Sequence, residues 1–344
     1  MVRQTAITDA ECRELSYILR KLTRLTSDVL TYDDRRKIRR LVEKATERRD
    51  VMRYKAEGFL SLTHSAQVAM IVSDEIGLGR ASVISALLYE SLEAGGLERS
   101  DIETMFGGQV MAICDGLYKV GELYGRDVSI ESENYRKLLF TFAEDIRVIL
   151  VILSDRLNVM RHLKRYAETD QKRIGFEVGY LYAPMAHRMG LYSMKSEMED
   201  LSMKFTNREV YLSVAHKLNE TKVSREAYIK SFIEPLREVL DKTGLKYEMK
   251  GRTKTISSIY NKLKKSNVEF EQIYDLFAIR IIIDCDIKDE KAECWRVYSV
   301  VTDMYQPNPV RLKDWISVPK GNGYESLHTT VLGPSNRWVE VQIR

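Results

Sequence analysis

The sequence predicts an α+β protein in which an all-α N-terminal domain precedes a compact unit built on a mixed or antiparallel sheet. No proline precedes Pro184, and four of the six prolines fall in the last forty residues. Apolar residues recur at three- and four-residue steps in the first part, which is typical of helices. After Gly244 the pattern changes to short β-branched and aromatic segments, which is typical of strands.

The helical part is illustrated by the segment AEDIRVILVILSDRLNVMRHLKRY. Its apolar residues form one predicted buried stripe, made of Ile146, Ile149, Leu150, Leu153, Leu157 and Met160. Glycines at 77–79, 95–96 and 107–108 predict breaks between packed helices. We therefore predict an all-α domain over 1–200 and a helical linker region over 201–245.

The C-terminal unit is predicted over 246–344. Its predicted strands are 246–250, 277–284, 329–332 and 338–344, and its predicted helices are 256–265 and 293–305. We expect these elements to form one compact domain.

Composition and charge narrow the class of protein. A net charge of +4 is too mild to predict nucleic-acid binding, and we expect no direct nucleic-acid contact from this region. No apolar run is long enough to span a membrane, and the N-terminus lacks a secretory signal pattern. The four cysteines have no metal or disulfide spacing. We expect a cytoplasmic protein without membrane attachment.

The first candidate string for chemistry is GRTKTISSIYNKLKK. If its helix begins near Thr253, one face carries Lys254, Ser258 and Lys262, with Arg252 at the helix entrance. Free backbone N–H groups at a helix start also favour anions. This arrangement suits a polyphosphate, although an ordinary solvated basic face has the same pattern.

The second string, YDLFAIRIIID, predicts a strand that is preceded by an aspartate. Alternation puts Phe277, Ile279 and Ile281 on one face and Arg280 on the other. Asp275, just before the strand, has the oxygen ligands that Mg²⁺ prefers. The alternative is an aspartate that only ends an element.

The third string, RWVEVQIR, alternates most clearly. Its apolar face is formed by Val339, Val341 and Ile343. Glu340, Gln342 and Arg344 share the opposite face, so an acid, an amide and a guanidinium stand in one row. The alternative is a solvent-exposed edge strand.

The loop string RLKDWISVPKGNGYESLHTT adds positive charge and an aromatic ring. Arg311, Lys313 and Lys320 precede a Gly-Asn-Gly turn, where backbone can approach a ligand closely. Tyr324 and His328 are four residues apart, which predicts a shared helical face, and Tyr324 offers a ring on which a base can stack.

Taken together, these strings resemble the synthetase domain of the RelA/SpoT family of guanosine tetra- and pentaphosphate enzymes. The string YAPMAHRMGLYSMKSEMEDLSMKF resembles the segment that joins the two catalytic domains of that family. The resemblance implies a nucleotidyltransferase-like fold and transfer of the β,γ-pyrophosphate of ATP to the 3′-OH of GDP or GTP.

The resemblance also implies residue roles. Asp275 is then a Mg²⁺ ligand, and Glu340 contacts the metal or acts as general base on the 3′-hydroxyl. The implied ATP-binding residues are Arg252 (against adenine), Lys254, Ser258 and Arg280. The implied GDP/GTP-binding residues are Tyr324 (stacked on guanine), Asn322, His328, Gln342, Lys262, Lys313 and Lys320.

The helical domain resembles the Mn²⁺-dependent His-Asp hydrolase domain of the same family, with its central motif altered. His64 and Asp155 match the first and last ligands, but Tyr89 and Glu90 stand where the family has its His-Asp pair. Ala94 replaces a further acid. Because a phenol is a poor substitute for an imidazole ligand, we do not expect Mn²⁺ in the helical domain.

The main hypothesis is therefore a synthetase with an inactive, structural or regulatory hydrolase domain. Two alternatives stay open, a bifunctional enzyme with a weakened metal site and a catalytically silent nucleotide-sensing module. The family's long members also imply regulatory domains beyond this chain that engage the ribosome, and we expect the synthetase domain to be truncated at its C-terminus.

Overall fold

The computed structural model describes residues 4–5, 7–47, 51–52, 60–93, 97–124, 145–266, 270, 273, 276–321 and 323–344. The chain divides into two compact units. The first comprises Met1–Ala186 and Ser193–Thr206, and the second comprises His187–Tyr192 and Asn207–Arg344. The predicted order, a helical part followed by a mixed sheet with helices, is confirmed. The domain boundaries derived from the sequence stay a prediction.

Among the described residues of the first part of the chain, most lie in helices, and two short strands form a pair. Its helices are α1 (Asp9–Leu25), α2 (Tyr32–Glu47), α3 (Ser61–Met70), α4 (Arg80–Glu93), α5 (Arg99–Phe106), α6 (Gly108–Tyr124), α7 (Ile146–His162), α8 (Glu168–Glu177), α9 (Ala183–Arg188) and α10 (Tyr192–Thr206). Two π-helical turns lie at Ile71–Glu75 and Val178–Tyr182, and one 3₁₀ turn lies at Leu163–Arg165. Strands β1 (Gln4–Thr5) and β2 (Val51–Met52) pair antiparallel.

Helix α7 runs through the core of the first unit, as its apolar stripe predicts. Four of the stripe residues are almost completely buried, namely Ile149, Leu153, Leu157 and Met160. Ile146 is an exception, since 52% of it is exposed. It is the first residue of the helix, where no preceding turn covers the side chain. Of the predicted glycine breaks, residues 95–96 lie outside the described residues.

The second unit combines helices with a five-stranded sheet. Its helices are α11 (Arg208–Glu220), α12 (Lys222–Asp241), α13 (Ile256–Ser266) and α14 (Glu290–Met304). Its strands are β3 (Tyr247–Thr253), β4 (Phe277–Ile283), β5 (Lys313–Asp314), β6 (Leu327–Gly333) and β7 (Arg337–Ile343). Single 3₁₀ turns occur at Pro309–Arg311 and Pro334–Asn336.

The sheet has the strand order β3-β4-β7-β6-β5. Strands β4 and β7 are parallel, and the other neighbouring pairs are antiparallel, so the sheet is mixed. The interpretation of β7 as an edge strand is wrong, because β7 lies between β4 and β6 and is hydrogen-bonded on both sides. A central position explains the uninterrupted apolar residues on its buried face.

The core of this unit lies on one face of the sheet. There the apolar side chains of the strands pack against α12 and α14, with Phe232, Leu236, Cys294, Val297 and Val301 in the contact. The predicted apolar face of α13 packs separately against α11, where Ile259 meets Val214 and Leu218. The opposite face of the sheet carries Arg280, His328, Glu340 and Gln342 together with apolar residues such as Ala278 and Leu332.

The prediction that the helix of the GRTK string starts near Thr253 is wrong. Strand β3 continues through Thr253, which pairs with Phe277, and the Lys254 N–H donates to the Leu276 carbonyl oxygen (2.8 Å). The helix begins only at Ile256. Arg252 therefore lies in a strand instead of at a helix entrance, and Lys254 precedes the helix instead of sharing its face with Ser258 and Lys262.

Candidate functional site

Strand register brings the predicted site residues onto one face of the sheet. Arg280 on β4 is opposite Gln342 on β7, Gln342 is opposite His328 on β6, and His328 is opposite Lys313 on β5. Ala278, two residues before Arg280 in β4, pairs with Arg252 on β3 and with Glu340 on β7. Since residues two apart in a strand share a face, both rows belong to the same polar face.

Glu340 lies in the middle of this face among hydrogen-bond donors. The Gln342 Nε2 donates to its Oε1 at 2.8 Å, and the His328 Nδ1 lies 3.6 Å from the same oxygen. The Lys254 Nζ lies 3.8 Å from Oε2. The carboxylate is thus held in one orientation while about a quarter of its side chain stays exposed, 24%. It is placed to accept a proton or to bind a hard cation.

Arg280 is the half-buried cation of the same face. Burial lowers its pKa, and the positive charges of Arg252 and Arg344 lower it further. Its Nη2 donates to the Gln342 Oε1 at 3.3 Å, whereas its buried Nε has no hydrogen-bond partner among the described residues. A cluster of guanidinium groups with incomplete hydrogen bonding suits an anionic ligand.

Tyr324 and His328 are in contact, but the helical face predicted for them is wrong. Tyr324 lies in the segment before β6 and His328 lies within β6, because the chain there pairs with β7. A hydrogen bond of 2.8 Å joins the Tyr324 hydroxyl to the His328 Nε2. Burial lowers the pKa of His328 to about 4, and nearby lysines add to the shift while Glu340 opposes it. His328 is therefore a neutral ring near pH 7.

Lys320 approaches two aromatic rings. Its Nζ lies 4.7 Å from the ring centre of Trp315 and 5.1 Å from that of Tyr324. The turn that holds it is closed by the Gly323 N–H, which donates to the Lys320 carbonyl oxygen (2.8 Å), and Gly323 has a φ of 72°. Sequence reasoning missed Trp315, because nothing in the spacing shows that its ring meets a lysine five residues later.

The remaining predicted residues are distributed as follows. Ser258 lies in the first turn of α13, where it bonds to Thr255, and Lys262 lies one turn later. Asp275 and Asn322 lie outside the described residues, so their placement is unknown.

In the helical unit, a direct hydrogen bond joins His64 and Asp155. The His64 Nε2 donates to the Asp155 Oδ1 at 2.6 Å. Its other ring nitrogen, Nδ1, accepts from the Asn158 Nδ2 at 3.0 Å, and Asn158 also donates to the Gln67 Oε1. Both imidazole nitrogens are therefore engaged within the protein.

Tyr89 and Glu90, which stand where the family has its His-Asp pair, lie on α4. The Tyr89 ring packs edge-on against Tyr118, at 5.4 Å between ring centres. Tyr166 lies near Glu90 and Asp155, and its pKa is raised by burial and by those two carboxylates. In the part of the chain that the structure describes, no group of three or more His, Cys, Asp or Glu side chains is arranged to hold a metal ion. Ala94 lies outside that part.

Comparison with protein families assigns both units. Residues 251–344 match the region found in RelA/SpoT proteins, and residues 39–192 match an HD domain. The chain therefore carries an HD domain followed by a region found in RelA/SpoT proteins. The first match contains the whole polar face from Arg252 to Gln342. The second contains His64, Tyr89, Glu90 and Asp155.

Curated relatives carry both activities of this family in their names. A GTP pyrophosphokinase of Myxococcus xanthus is 38% identical over 82% of this chain and 37% of its own length. A guanosine-3′,5′-bis(diphosphate) 3′-pyrophosphohydrolase of Aquifex aeolicus is 35% identical over 89% of this chain and 43% of its own length. The chain thus spans less than half the length of these relatives.

Among solved structures, the small alarmone synthetase 1 of Bacillus subtilis bound to its product pppGpp is 23% identical. The alignment covers 38% of this chain and 72% of that protein, with a TM-score of 0.28. Within the described residues no helix is long and apolar enough to cross a membrane.

Proposed function

We propose that this chain transfers the β,γ-pyrophosphate of ATP to the 3′-hydroxyl of GDP or GTP. The observation that carries the proposal is the polar face of the sheet. One carboxylate, Glu340, is surrounded there by amide, imidazole and ammonium groups, with Arg252 and Arg280 in the neighbouring strands. Pyrophosphate transfer requires alignment of two nucleotides and stabilisation of developing negative charge, and this face provides the groups for both.

Glu340 is the group proposed to take the proton of the attacking hydroxyl. The Gln342 Nε2 donates to the Glu340 Oε1, and the Gln342 Oε1 accepts from the Arg280 Nη2. The Glu340 carboxylate is thus fixed by a chain of two hydrogen bonds. A fixed carboxylate within reach of a hydroxyl is the requirement for general-base catalysis. The Lys254 Nζ lies 3.8 Å from Oε2 and places a positive charge beside the carboxylate.

The donor set of the face fits a Mg²⁺ ion. Enzymes with either of the matched regions generally depend on divalent metals, and Mg²⁺ uses one or two carboxylates together with substrate phosphates. Glu340 supplies one carboxylate, and Asp275 is the proposed second ligand. When bound, the ion would neutralise charge on the phosphates.

The two nucleotides are proposed to occupy different parts of the face. Arg252, Lys254, Ser258 and Arg280, from β3 to β4, are the proposed ATP contacts. The proposed acceptor contacts around β5, β6 and the preceding loop are Tyr324, Asn322, His328, Lys313 and Lys320, and two more lie on other elements, Gln342 on β7 and Lys262 on α13. Tyr324 offers a ring for the guanine base, and the lysines offer charge for its phosphates.

The experiment is to incubate the protein with ATP, Mg²⁺ and GDP or GTP and to separate the products. Wild-type protein should form ppGpp or pppGpp, and Asp275→Ala should lower the rate at least about 100-fold. Asp303→Ala, which changes an aspartate of α14 outside the polar face, is the control and should keep normal activity. Absence of product from wild-type protein would refute the transfer, and full activity of Asp275→Ala would refute the role of that residue.

We further propose that the helical unit is structural or regulatory and does not hydrolyse ppGpp. His64 already uses both ring nitrogens for hydrogen bonds to Asp155 and Asn158. Tyr89 supplies a phenol in place of an imidazole, and its ring packs against Tyr118. These residues do not fit a Mn²⁺ site of the His-Asp type.

This proposal is tested by incubating the protein with ppGpp and Mn²⁺ and measuring released pyrophosphate. No release above background is expected. The double variant Tyr89→His, Glu90→Asp, which rebuilds the His-Asp pair, provides the comparison. Manganese-dependent release by wild-type protein would refute the proposal.

A further inference from the structure

A row of aromatic rings reaches Tyr324 from a segment far earlier in the chain. The ring centre of Tyr192 lies 5.3 Å from that of Tyr324, with 72° between the ring planes. Tyr192 also meets His187, at 5.6 Å and 75°. All three residues belong to the second unit, although about 130 residues of sequence separate Tyr192 from Tyr324. The contact was not predicted from the sequence.

Tyr324 depends on side-chain contacts for its orientation. It lies outside the strands, between Gly323 and the first residue of β6, so no ladder of backbone hydrogen bonds fixes it on both sides. The bond to His328 fixes its hydroxyl. A bond at the tip of the ring still allows the ring plane to rotate about its long axis. Edge-to-face contacts restrict that rotation, because aromatic pairs prefer defined angles, and the Tyr324 ring has two of them, with His328 at 86° and with Tyr192 at 72°.

Tyr192 is itself held by a tight turn. The Gly190 N–H donates to the His187 carbonyl oxygen at 3.1 Å, and the Tyr192 N–H donates to the Gly190 carbonyl oxygen at 2.9 Å. Gly190 has a φ of 74°, which glycine adopts readily. The turn folds the chain so that the rings of His187 and Tyr192 meet, and this fixes the ring that contacts Tyr324.

We propose that Tyr192 is a positioning residue for the guanine nucleotide. Its ring holds the plane of Tyr324 in the orientation that lets a purine base stack on it. The inference rests on the proposed function, in which Tyr324 stacks on the acceptor base. Since the proposed ATP contacts lie on β3, β4 and α13, loss of the Tyr192 ring should affect GDP or GTP and leave ATP unaffected.

The test compares Tyr192→Ala, Tyr192→Phe, Tyr324→Ala and the double variant Tyr192→Ala, Tyr324→Ala. The control is Tyr32→Ala, which removes a tyrosine ring that is 82% exposed on α2. GDP binding is measured by calorimetry without ATP, and KM is then measured for ATP and for GDP. Thermal unfolding of each variant shows whether the fold is intact.

Tyr192→Ala should weaken GDP binding roughly three- to tenfold and leave the KM for ATP unchanged. The stabilisation that one edge-to-face aromatic pair gives to a ring orientation corresponds to about this change in the dissociation constant. Tyr192→Phe keeps the ring and should stay within about twofold of wild type. In the double variant, loss of Tyr192 should add nothing to the loss of Tyr324, because the first acts through the second.

The inference is refuted if Tyr192→Ala binds GDP as wild type does, or if its effect is additive with that of Tyr324→Ala. An equal change in the KM values for both nucleotides, or a phenylalanine variant as weak as the alanine variant, would also refute it. Wild-type protein that binds GDP without forming product would defeat the proposed transfer alone. Wild-type protein that binds no GDP would defeat both.

Discussion

The charge of Arg280 is placed on a sheet face that already carries Arg252 and Arg344. Burial and these two neighbours lower its pKa, which means that the charged form is less stable there than in water. In the unliganded protein this is a cost to folding. A bound anion would remove the cost, so the arrangement is expected of a residue selected for binding instead of stability.

Replacing Arg280 by leucine should therefore separate stability from activity. We expect the melting temperature of the unliganded protein to be unchanged or slightly raised, while the rate of transfer falls at least about 100-fold. Thermal unfolding with and without ATP measures both effects, since ATP should raise the melting temperature of wild type more than that of Arg280→Leu. A variant that unfolds several degrees below wild type would contradict this reading of Arg280.

Residue alternation allowed part of the site to be predicted. The period of two in RWVEVQIR and FAIRIII puts Glu340, Gln342 and Arg280 opposite the apolar residues, and the structure agrees. Contacts that depend on how loops pack were beyond this method. The pairs Trp315–Lys320 and Tyr192–Tyr324 have no periodic signature, because tertiary packing brings them together.

At the scale of elements, the junction of β3 and α13 decides where the basic residues lie. Thr255 lies between the end of β3 at Thr253 and the start of α13 at Ile256, and it caps the helix. Its carbonyl oxygen accepts from the Ile259 N–H at 3.0 Å, and its Oγ1 accepts from the Ser258 N–H at 3.4 Å. The sequence predicted the helix over 256–265, in agreement with α13, but the alternative start near Thr253 is wrong because Gly251, Arg252 and Thr253 pair with β4 through a long-range contact.

Removing this cap should weaken the first turn of α13. Thr255→Ala is expected to destabilise the helix start by about 1 kcal/mol, whereas Thr255→Ser should be nearly neutral because serine also caps. Hydrogen exchange of the α13 amides measures the effect locally. Faster exchange in the alanine variant alone is expected. Equal exchange in wild type and both variants would show that Thr255 does not cap the helix.

At the scale of the whole molecule, the chain forms two compact units, and each of them contains buried apolar residues. The helical unit also contains a buried ion pair. Asp34 on α2 accepts from Arg80, the first residue of α4, and from Thr31. Its side chain is 3% exposed, and these bonds lower its pKa to about 2, with Arg80 as the main cause.

The Asp34–Arg80 ion pair should make the stability of the helical unit depend on pH. The folded pKa of Asp34, about 2, lies below its ordinary value of 3.8, so its contribution is complete above about pH 4 and is lost as the pH falls through about 2. Asp34→Asn should therefore unfold at a lower temperature than wild type at pH 7, and the difference should shrink toward pH 2. Thermal unfolding from pH 2 to 7 measures this.

The neighbouring variant Asp33→Asn is the matched control. Asp33 is about half exposed, 49%, and forms surface ion pairs with Arg36 and Lys37. Its substitution should have a much smaller effect at every pH. Equal effects of the two substitutions, or a difference for Asp34→Asn that does not change with pH, would contradict the role given to the Asp34–Arg80 pair.

We propose that the polar face transfers the pyrophosphate as one group, with the Glu340 carboxylate as the general base. The most direct measurement supplies ATP labelled in its γ-phosphate, Mg²⁺ and GDP, and follows the label and the adenine product. The label should move to the guanine nucleotide while AMP forms in equal amount. Glu340→Gln should abolish this, whereas Glu248→Gln, an exposed glutamate of edge strand β3, should not. Formation of ADP instead of AMP, or undiminished transfer by Glu340→Gln, would contradict the account.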